Sequence, residues 1–160
     1  MSRLDSFIRR LTAQRDILNR IAPQVAELDG PVLELGLGNG RTFDHLRELL
    51  PGRRIVAFDR DVRCHASSRP PEGDIVLGEI AETARDWMGC GAALVHADIG
   101  TGYDDRDAVT LTWLPQLAAS ALRPGGIAVS GLPLDHPDLA PLQLPDGVRE
   151  GRYFIYRRKQ

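Results

Sequence analysis

The sequence predicts an α/β fold of one domain, built on a mixed seven-stranded sheet with helices on both faces. Two observations predict this class. Five short runs rich in valine, isoleucine and leucine alternate with segments of helical periodicity, as expected of parallel strands buried on both faces. After the fifth run, a proline-rich stretch and a turn lead into an alternating segment, which predicts an antiparallel C-terminal pair. A length of 160 residues fits a single domain.

The N-terminal segment, residues 1–27, is predicted to be an amphipathic helix that acts as a lid on the domain formed by residues 28–160. Its apolar positions are Leu4, Phe7, Ile8, Leu11, Leu18, Ile21, Ala22 and Val25. Most of them form one stripe, but Phe7, Ile8 and Val25 also place apolar side chains beside it, which suits a second contact. Pro23 kinks or restarts this helix, since proline suits a first helical turn. Gln14 and Arg15 interrupt the stripe, and a polar group that points inward needs a partner.

The remaining elements follow in alternation. Strands are predicted over Val32–Leu35, Arg54–Phe58, Asp74–Leu77, Ala92–His96 and Ile127–Ser130, and helices over Arg41–Leu50, Ile80–Met88 and Asp107–Leu122. Asp61–Gly73 contains paired serines and paired prolines, so it has room for no more than a turn or so of helix. Arg152–Arg158 follows a turn at Asp146-Gly147 and is predicted to belong to the antiparallel pair.

A glycine-rich turn joins the first strand to the helix that follows it. The turn reads Gly36-Leu37-Gly38-Asn39-Gly40, with Glu34 in the strand and Thr42 in the helix. Glycine permits positive φ and close approach of a ligand, and the first helix amides are unpaired donors, so the turn predicts a nucleotide-like cofactor. Two features argue against a dinucleotide. The dinucleotide fingerprint places its third glycine one residue later, and Glu34 would repel a pyrophosphate, whereas it would hold a cationic ligand.

The stretch Val32–Thr42 resembles motif I of the class I methyltransferases that use S-adenosylmethionine. The order of elements over about residues 28–158 is also similar to the Rossmann-like core of that family, with five parallel strands and an antiparallel C-terminal pair. The Arg123-Pro124-Gly125-Gly126 turn looks like the family's usual approach to the fifth strand. The resemblance implies that S-adenosyl-L-methionine is the cofactor and binds across Glu34–Gly40.

Three further strand ends carry candidate site residues. Asp59 ends the second strand, where an acid can accept hydrogen bonds from both ribose hydroxyls, and Arg60 follows it at the rim. The resemblance implies that Glu79 and Ile80 lie against the adenine; the alternative for Glu79 is a helix-capping acid. It also implies that the sulfonium and the methyl acceptor meet beside His96 and Asp98.

The catalytic candidates are His96 and Asp98. Either side chain could act as the base if the acceptor must lose a proton, Asp98 could instead stabilise the sulfonium or its amino group, and both could simply cap the loop. If the N-terminal helix covers the cofactor, Gln14 or Arg15 reaches the ligand's carboxylate; the alternative is an intramolecular hydrogen bond or a snorkelling arginine. The spacing of these residues with Asp104-Asp105 matches no metal-binding loop, so no metal is predicted.

Composition argues against several classes of partner. The net charge of −2 gives no reason to expect nucleic-acid binding, and the basic residues of the last strand favour a solvated edge strand. No apolar run approaches the ~18 residues of a membrane span, and the N-terminus begins a charged amphipathic pattern rather than a secretion signal. Cys64 and Cys90 lack metal-like spacing and are expected to be reduced thiols in a cytoplasmic protein.

The leading hypothesis is therefore an S-adenosyl-L-methionine-dependent methyltransferase that acts on a small molecule. One alternative is a non-catalytic regulatory module that binds the same cofactor, favoured by the short second crossover and the absence of an Asn-Pro-Pro-Tyr acceptor motif. The other alternative is an NAD-dependent enzyme, which Glu34 and the glycine spacing disfavour. So short a core has little surface to enclose an acceptor, which predicts a homo-oligomer, a dimer or a tetramer; a monomer covered by Leu132–Pro145 is the alternative.

Overall fold

The computed structural model describes the whole chain from Met1 to Gln160, and its centre is one seven-stranded sheet. The strands are β1 (Val32–Leu35), β2 (Ile55–Asp59), β3 (Ile75–Leu77), β4 (Ala92–Ala97), β5 (Leu122–Ser130), β6 (Leu139–Pro141) and β7 (Phe154–Arg158). Their spatial order is β3-β2-β1-β4-β5-β7-β6. β1 to β5 pair in parallel, whereas β7 runs antiparallel to both β5 and β6. The predicted sheet, with its antiparallel C-terminal pair, is confirmed.

The helices are α1 (Arg3–Ala26), α2 (Arg41–Leu49), α3 (Ile80–Thr83), α4 (Asp104–Leu111) and α5 (Leu114–Ala121). Short 3-10 turns cover Ala66–Ser68, Glu72–Asp74 and Ala84–Trp87. The crossover between β2 and β3 therefore holds only two such turns, as its paired prolines predict. The predicted helix over Ile80–Met88 is α-helical only in its first half and tightens into the 3-10 turn at Ala84.

The prediction of one helix over Asp107–Leu122 is wrong. The chain forms two helices, because Pro115 lies in the first turn of α5 and cannot donate a backbone hydrogen bond to Leu111. The first helix, α4, also begins earlier than predicted, at Asp104. Three aspartates in its first turn complement the positive end of the helix dipole.

Two apolar layers enclose the sheet. α1 and α2 cover one face, and α5 with the Ala84–Trp87 turn covers the other. The N-terminal segment shares this core, since Ile17, Leu18, Ile21 and Val25 of α1 are buried in the first layer. The part of α1 from Ile17 to Val25 is thus packed on the sheet, whereas Leu4, Phe7 and Ile8 near its N-terminus are exposed.

α1 runs across one face of the sheet, with its N-terminal half next to the glycine turn and its C-terminal end beside Arg53. It begins at a capping box, in which Ser2 and Asp5 bond each other's backbone amides, and it continues through Pro23 without restarting. Its N-terminal half reaches the carboxyl ends of the strands, as predicted, where Arg10 and Gln14 contact Asp98. Although α1 has 24 residues, neither it nor any other helix combines the length and apolarity needed to cross a membrane.

Candidate active site

A cavity of about 810 Å³ opens at the carboxyl ends of the central strands. This volume lies in the upper part of the range of about 300–1,000 Å³ that is typical of small-molecule sites. Most of the predicted site residues line the cavity: Gln14, Gly36, Leu37, Gly38, Asn39, Thr42, Asp59, Arg60, Glu79, Ile80 and Asp98. The topology therefore brings residues from four strand ends and from α1 to one site.

The three glycines of the turn have different roles. All three have positive φ, at 92° for Gly36, 52° for Gly38 and 76° for Gly40. A Cβ on Gly36 would lie 2.7 Å from the side chain of Ile99, and one on Gly40 would lie 2.8 Å from that of Cys64. A Cβ on Gly38 would meet no protein atom within 4 Å. The outer glycines allow the turn to pack, and the middle one leaves open space on the cavity wall where a ligand fits.

Asp59 lies directly across from this turn. Its Oδ2 accepts a hydrogen bond from the amide of Gly38 at 2.9 Å, and its Oδ1 accepts one from the amide of Arg60 at 2.7 Å. Each oxygen has a further lone pair, so the carboxylate can still accept hydrogen bonds from a diol in the cavity. Its position, beside the point where the sheet order reverses between β1 and β4, is where ligands bind in open α/β sheets.

Glu79 and Arg60 form an ion pair at the end of the cavity next to β3. Arg60 Nε lies 2.9 Å from Glu79 Oε1, and Arg60 Nη2 donates to Oε2 at 3.0 Å. Glu79 precedes α3 but its side chain makes no capping hydrogen bond. Glu79 thus stands at the N-cap position of α3 without a side-chain capping bond, and both it and Ile80 line the cavity.

Asp98 follows β4 and is held by two residues that are distant in sequence. Gln14, only 2% exposed, donates through Nε2 to Asp98 Oδ2 at 2.7 Å and also to Tyr153 Oη. Arg10 Nη1 lies 3.6 Å from Asp98 Oδ1. Burial raises the pKa of Tyr153, and the Asp98 carboxylate raises it further, so the phenol stays protonated. Gln14 therefore forms the intramolecular hydrogen bonds of the alternative interpretation, and it also lines the cavity.

Glu34 and His96 form a buried pair beneath the site. Glu34 Oε1 accepts a hydrogen bond from Thr42 Oγ1 and lies 2.9 Å from His96 Nδ1, and both residues are 0% exposed. The His96 ring stacks on the Tyr153 ring at a centroid distance of 6.1 Å. Burial lowers the pKa of His96, but the charge and hydrogen bond of Glu34 outweigh it, so the net shift is upward.

The structure does not bring Glu34 or His96 to the cavity surface. The two are register partners in β1 and β4, and both lie at positions covered by α1 and α2. His96 therefore does not contact an acceptor in this arrangement, and Glu34 does not contact the cofactor. Glu34 Oε2 and His96 Nε2 also lack hydrogen-bond partners, which is unusual for polar atoms this deeply buried.

Arg15 and Gly40 also lie outside the cavity lining. Arg15 is exposed and pairs with Asp16 at 2.9 Å, because it lies one residue beyond Gln14 and so turns toward solvent. Arg10, four residues before Gln14 on the same helix face, lines the cavity where Arg15 does not. Gly40 is the N-cap residue of α2 and packs against the β2–β3 crossover.

Sequence reasoning missed one wall of the cavity. Arg106, Val109, Thr110 and Trp113 line it at the spacing of one helix face. This spacing could have identified the wall, but the predicted start of the helix at Asp107 left its first turn out. The other lining residues not predicted are Arg10, Leu11, Arg41, Ala81, Ile99 and Thr101. Tyr153 was expected only as an alternating strand residue.

These residues suit S-adenosyl-L-methionine as a ligand. Asp59 offers free lone pairs to a ribose, the open space at Gly38 admits a ligand against the backbone, and Asp98 offers a negative charge to a sulfonium or ammonium group. The arrangement therefore fits both halves of the cofactor in one cavity.

Comparison with known proteins agrees with this fit. The chain matches the family described as S-adenosyl-L-methionine methyltransferase over residues 1–158. The structure of an S-adenosyl-L-methionine methyl transferase from Silicibacter pomeroyi DSS-3 superposes with a TM-score of 0.90 at 42% identity, covering 99% of each chain. No curated protein sequence matches the chain.

Two more distant structures share the fold alone. The 1,6-didemethyltoxoflavin-N1-methyltransferase of Burkholderia thailandensis has a TM-score of 0.58 at 17% identity, covering 92% of this chain and 79% of that one. A probable spermidine synthase from Corynebacterium glutamicum ATCC 13032 has a TM-score of 0.61 at 17% identity, covering 92% of this chain and 63% of that one.

The family match spans almost the entire chain, and the Silicibacter structure extends it to every element from α1 to β7. This excludes the NAD-dependent alternative, whose fingerprint the glycine turn lacks. The chain belongs to the S-adenosyl-L-methionine methyltransferase family, and S-adenosyl-L-methionine is its methyl donor.

Proposed function

We propose that this methyltransferase acts on a small molecule that binds beside Asp98. The observation that carries the proposal is a single cavity that joins the glycine turn and Asp59 to Asp98 and Gln14. Its size leaves room for a small acceptor next to the cofactor. The Burkholderia thailandensis enzyme of the same fold is named for a small-molecule acceptor, 1,6-didemethyltoxoflavin.

The proposed cofactor contacts follow the cavity wall. Asp59 accepts hydrogen bonds from the ribose, and the turn from Gly36 to Asn39 lies against the methionine part. Ile80 packs on the adenine, and Glu79 accepts from its amino group while Arg60 holds the Glu79 carboxylate in place. The open cradle at Gly38, the lone pairs left on Asp59 and the Arg60–Glu79 ion pair support these assignments.

The chemistry needs alignment more than acid–base assistance. Bound S-adenosyl-L-methionine supplies a methyl group on a sulfonium sulfur, which keeps the bond electrons when the acceptor's lone pair takes the methyl carbon. Gln14, which also donates to Tyr153 Oη, holds Asp98 at the cavity wall, where its carboxylate accepts a proton from an acceptor that must lose one. Arg10, Leu11 and Gln14 of α1 line this end of the cavity.

We assign the Glu34–His96 pair a positioning role. The pair bridges β1 and β4 directly below the turn, and Thr42 ties it to the first turn of α2. It thereby fixes the strand ends that carry the glycine turn and Asp98. This role requires no contact with the ligand, which agrees with the complete burial of both side chains.

The test is transfer of a tritiated methyl group from S-adenosyl-L-methionine into fractions of a cell extract. We expect label in the small-molecule fraction and none in protein or RNA. Asp98→Asn should reduce transfer by about 100-fold if the carboxylate is the base, while leaving binding of S-adenosyl-L-homocysteine measurable by calorimetry. Asp138→Asn, an exposed change outside the cavity, is the control. Label confined to protein or RNA would contradict the proposal.

We also propose that the protein is a homo-oligomer, a dimer or a tetramer. Leu4, Phe7 and Ile8 are 65%, 42% and 52% exposed at the end of α1 that lies next to the cavity. Apolar side chains grouped at one end of a helix suit a two-fold contact that covers the site. Light scattering at micromolar concentration tests this, and a mass near 17.6 kDa with intact activity would refute it.

We further propose that the protein works in the cytoplasm. Cys64 and Cys90 are both free, which suits a reducing compartment. Fractionation of the native cells tests the location. Recovery of the protein outside the cytoplasmic fraction would contradict it.

A further inference from the structure

We propose that the methyl acceptor is an acidic small molecule that carries a carboxylate or phosphate group, and that Arg41 and Arg106 recognise this group. The inference rests on the proposed function, because it concerns the acceptor in the same cavity. The observation behind it is the presence of two guanidinium groups on the cavity wall that no acid of the chain neutralises.

The cavity has more positive than negative side chains. Four arginines line it, Arg10, Arg41, Arg60 and Arg106, against three acids, Asp59, Glu79 and Asp98. Arg60 is engaged by Glu79 through two contacts, at 2.9 and 3.0 Å, and Arg10 lies 3.6 Å from Asp98. Arg41 and Arg106 form no ion pair with any side chain of the protein.

The cofactor accounts for one of these arginines. S-adenosyl-L-methionine carries one carboxylate, beside an ammonium and a sulfonium. Arg10 is suited to the carboxylate, since it lies next to Asp98 at the end of the cavity assigned to the methionine part. The donor is cationic overall, so its binding makes the charge of the cavity more positive. An anionic acceptor would restore the balance and find unpaired guanidinium donors in place.

Arg41 and Arg106 occupy different walls of the cavity. Arg41 is the first residue of α2, directly after Gly40, so its charge adds to the positive end of that helix. Arg106 belongs to α4, and its guanidinium carbon lies 4.9 Å from the centre of the Tyr103 ring, which restricts its position. Both arginines line the one cavity.

The aspartates that flank Arg106 in sequence do not compete for it. Asp107 accepts hydrogen bonds from the amide and hydroxyl of Thr101, both at 2.8 Å, and from the amide of Gly102 at 3.1 Å. These bonds lower the pKa of the Asp107 carboxyl and turn it toward the loop that precedes α4. The Arg106 side chain is thus left free to face the cavity.

The experiment separates a cell extract on an anion exchanger before the enzyme is added. The bound and unbound fractions are each incubated with the enzyme and tritiated S-adenosyl-L-methionine. We expect methyl acceptance in the bound fraction. Pretreatment of that fraction with alkaline phosphatase distinguishes the two acids, since acceptance is lost for a phosphate ester and retained for a carboxylate.

Variants then test the two arginines. Arg41→Gln and Arg106→Gln should each raise the KM for the bound fraction by about tenfold or more, with little change in affinity for S-adenosyl-L-homocysteine. Arg85→Gln, an exposed arginine outside the cavity, should change neither. A substitution that weakens the binding of S-adenosyl-L-homocysteine by the same factor as it raises the acceptor KM would assign these arginines to the cofactor and overturn the inference.

The outcomes also distinguish this inference from the proposed function. Methyl acceptance confined to the unbound fraction would refute an acidic acceptor while leaving small-molecule methylation intact. No acceptance in either fraction, by protein that binds S-adenosyl-L-homocysteine in calorimetry, would refute small-molecule methylation and this inference with it.

Discussion

Replacing Asp59 by alanine should weaken the binding of S-adenosyl-L-methionine while the protein stays folded. The carboxylate stands on the cavity wall at the end of β2 and also accepts hydrogen bonds from the amides of Gly38 and Arg60, at 2.9 and 2.7 Å. The change therefore removes the proposed acceptor of the ribose hydroxyls. It also removes one support of the glycine turn.

The structure sets the expected magnitude. A hydrogen bond to a charged group contributes about 1.5–3 kcal/mol, which corresponds to about a 10- to 150-fold rise in the dissociation constant. Asp59 is partly exposed, so water can reach the two amides that it releases. The free energy of unfolding should therefore fall by no more than about 1 kcal/mol.

Calorimetry with S-adenosyl-L-homocysteine measures the effect, and urea denaturation measures the stability. Asp61→Ala is the matched control, because this acid lies two residues further along, pairs only with Arg63 and does not line the cavity. Asp59→Asn keeps the shape and loses the charge, so its affinity should lie between those of wild type and Asp59→Ala. An unchanged dissociation constant in folded Asp59→Ala would remove the residue from the site.

Three further predictions concern the turn and the buried network. Gly38→Val should abolish cofactor binding in calorimetry, because its side chain fills the open space beside the turn. Gly52→Val is the control: Gly52 also has a positive φ and open space, but it lies outside the cavity, so the change should lower stability alone. Equal affinities of the two variants for the cofactor would contradict this prediction. Tyr153→Phe removes the hydroxyl that accepts from Gln14, so Gln14 should hold Asp98 less firmly and kcat should fall more than cofactor affinity. Tyr156→Phe, which loses its bond to a backbone amide, should lower stability alone, and the reversed pattern would contradict a role for Gln14 in placing Asp98. The pKa of His96 is raised, so its NMR titration should have a midpoint above the reference of about 6.5. The free energy of unfolding should fall as the pH rises through this pKa, because the folded state binds the proton more tightly than the unfolded state. A midpoint below about 6.5 would refute the prediction.

Most of the fold could be predicted from local patterns. Buried parallel strands need continuous apolar runs, which placed β1 to β5 within a residue or two except at the start of β5, where strand pairing begins already at Leu122. The break at Pro115 was missed because the apolar stripe continues across it, although Pro115 has no amide to donate to the carbonyl of Leu111 and its ring crowds that carbonyl. The wall made by α4 was missed for a different reason: its first turn, which contains Arg106, lay outside the predicted helix.

The sequence by itself determined the cofactor class, the glycine turn and the acid at the end of β2. These features depend on neighbouring residues, because a turn with three positive φ values requires glycine and a strand end defines where ligands bind. Only the tertiary structure decided which polar side chains face the cavity. Gln14 reaches Asp98 and Tyr153 across 84 and 139 residues, and Glu34 meets His96 because β4 lies beside β1 in the sheet. Contacts of this range are set by strand order and helix packing, which no local pattern contains.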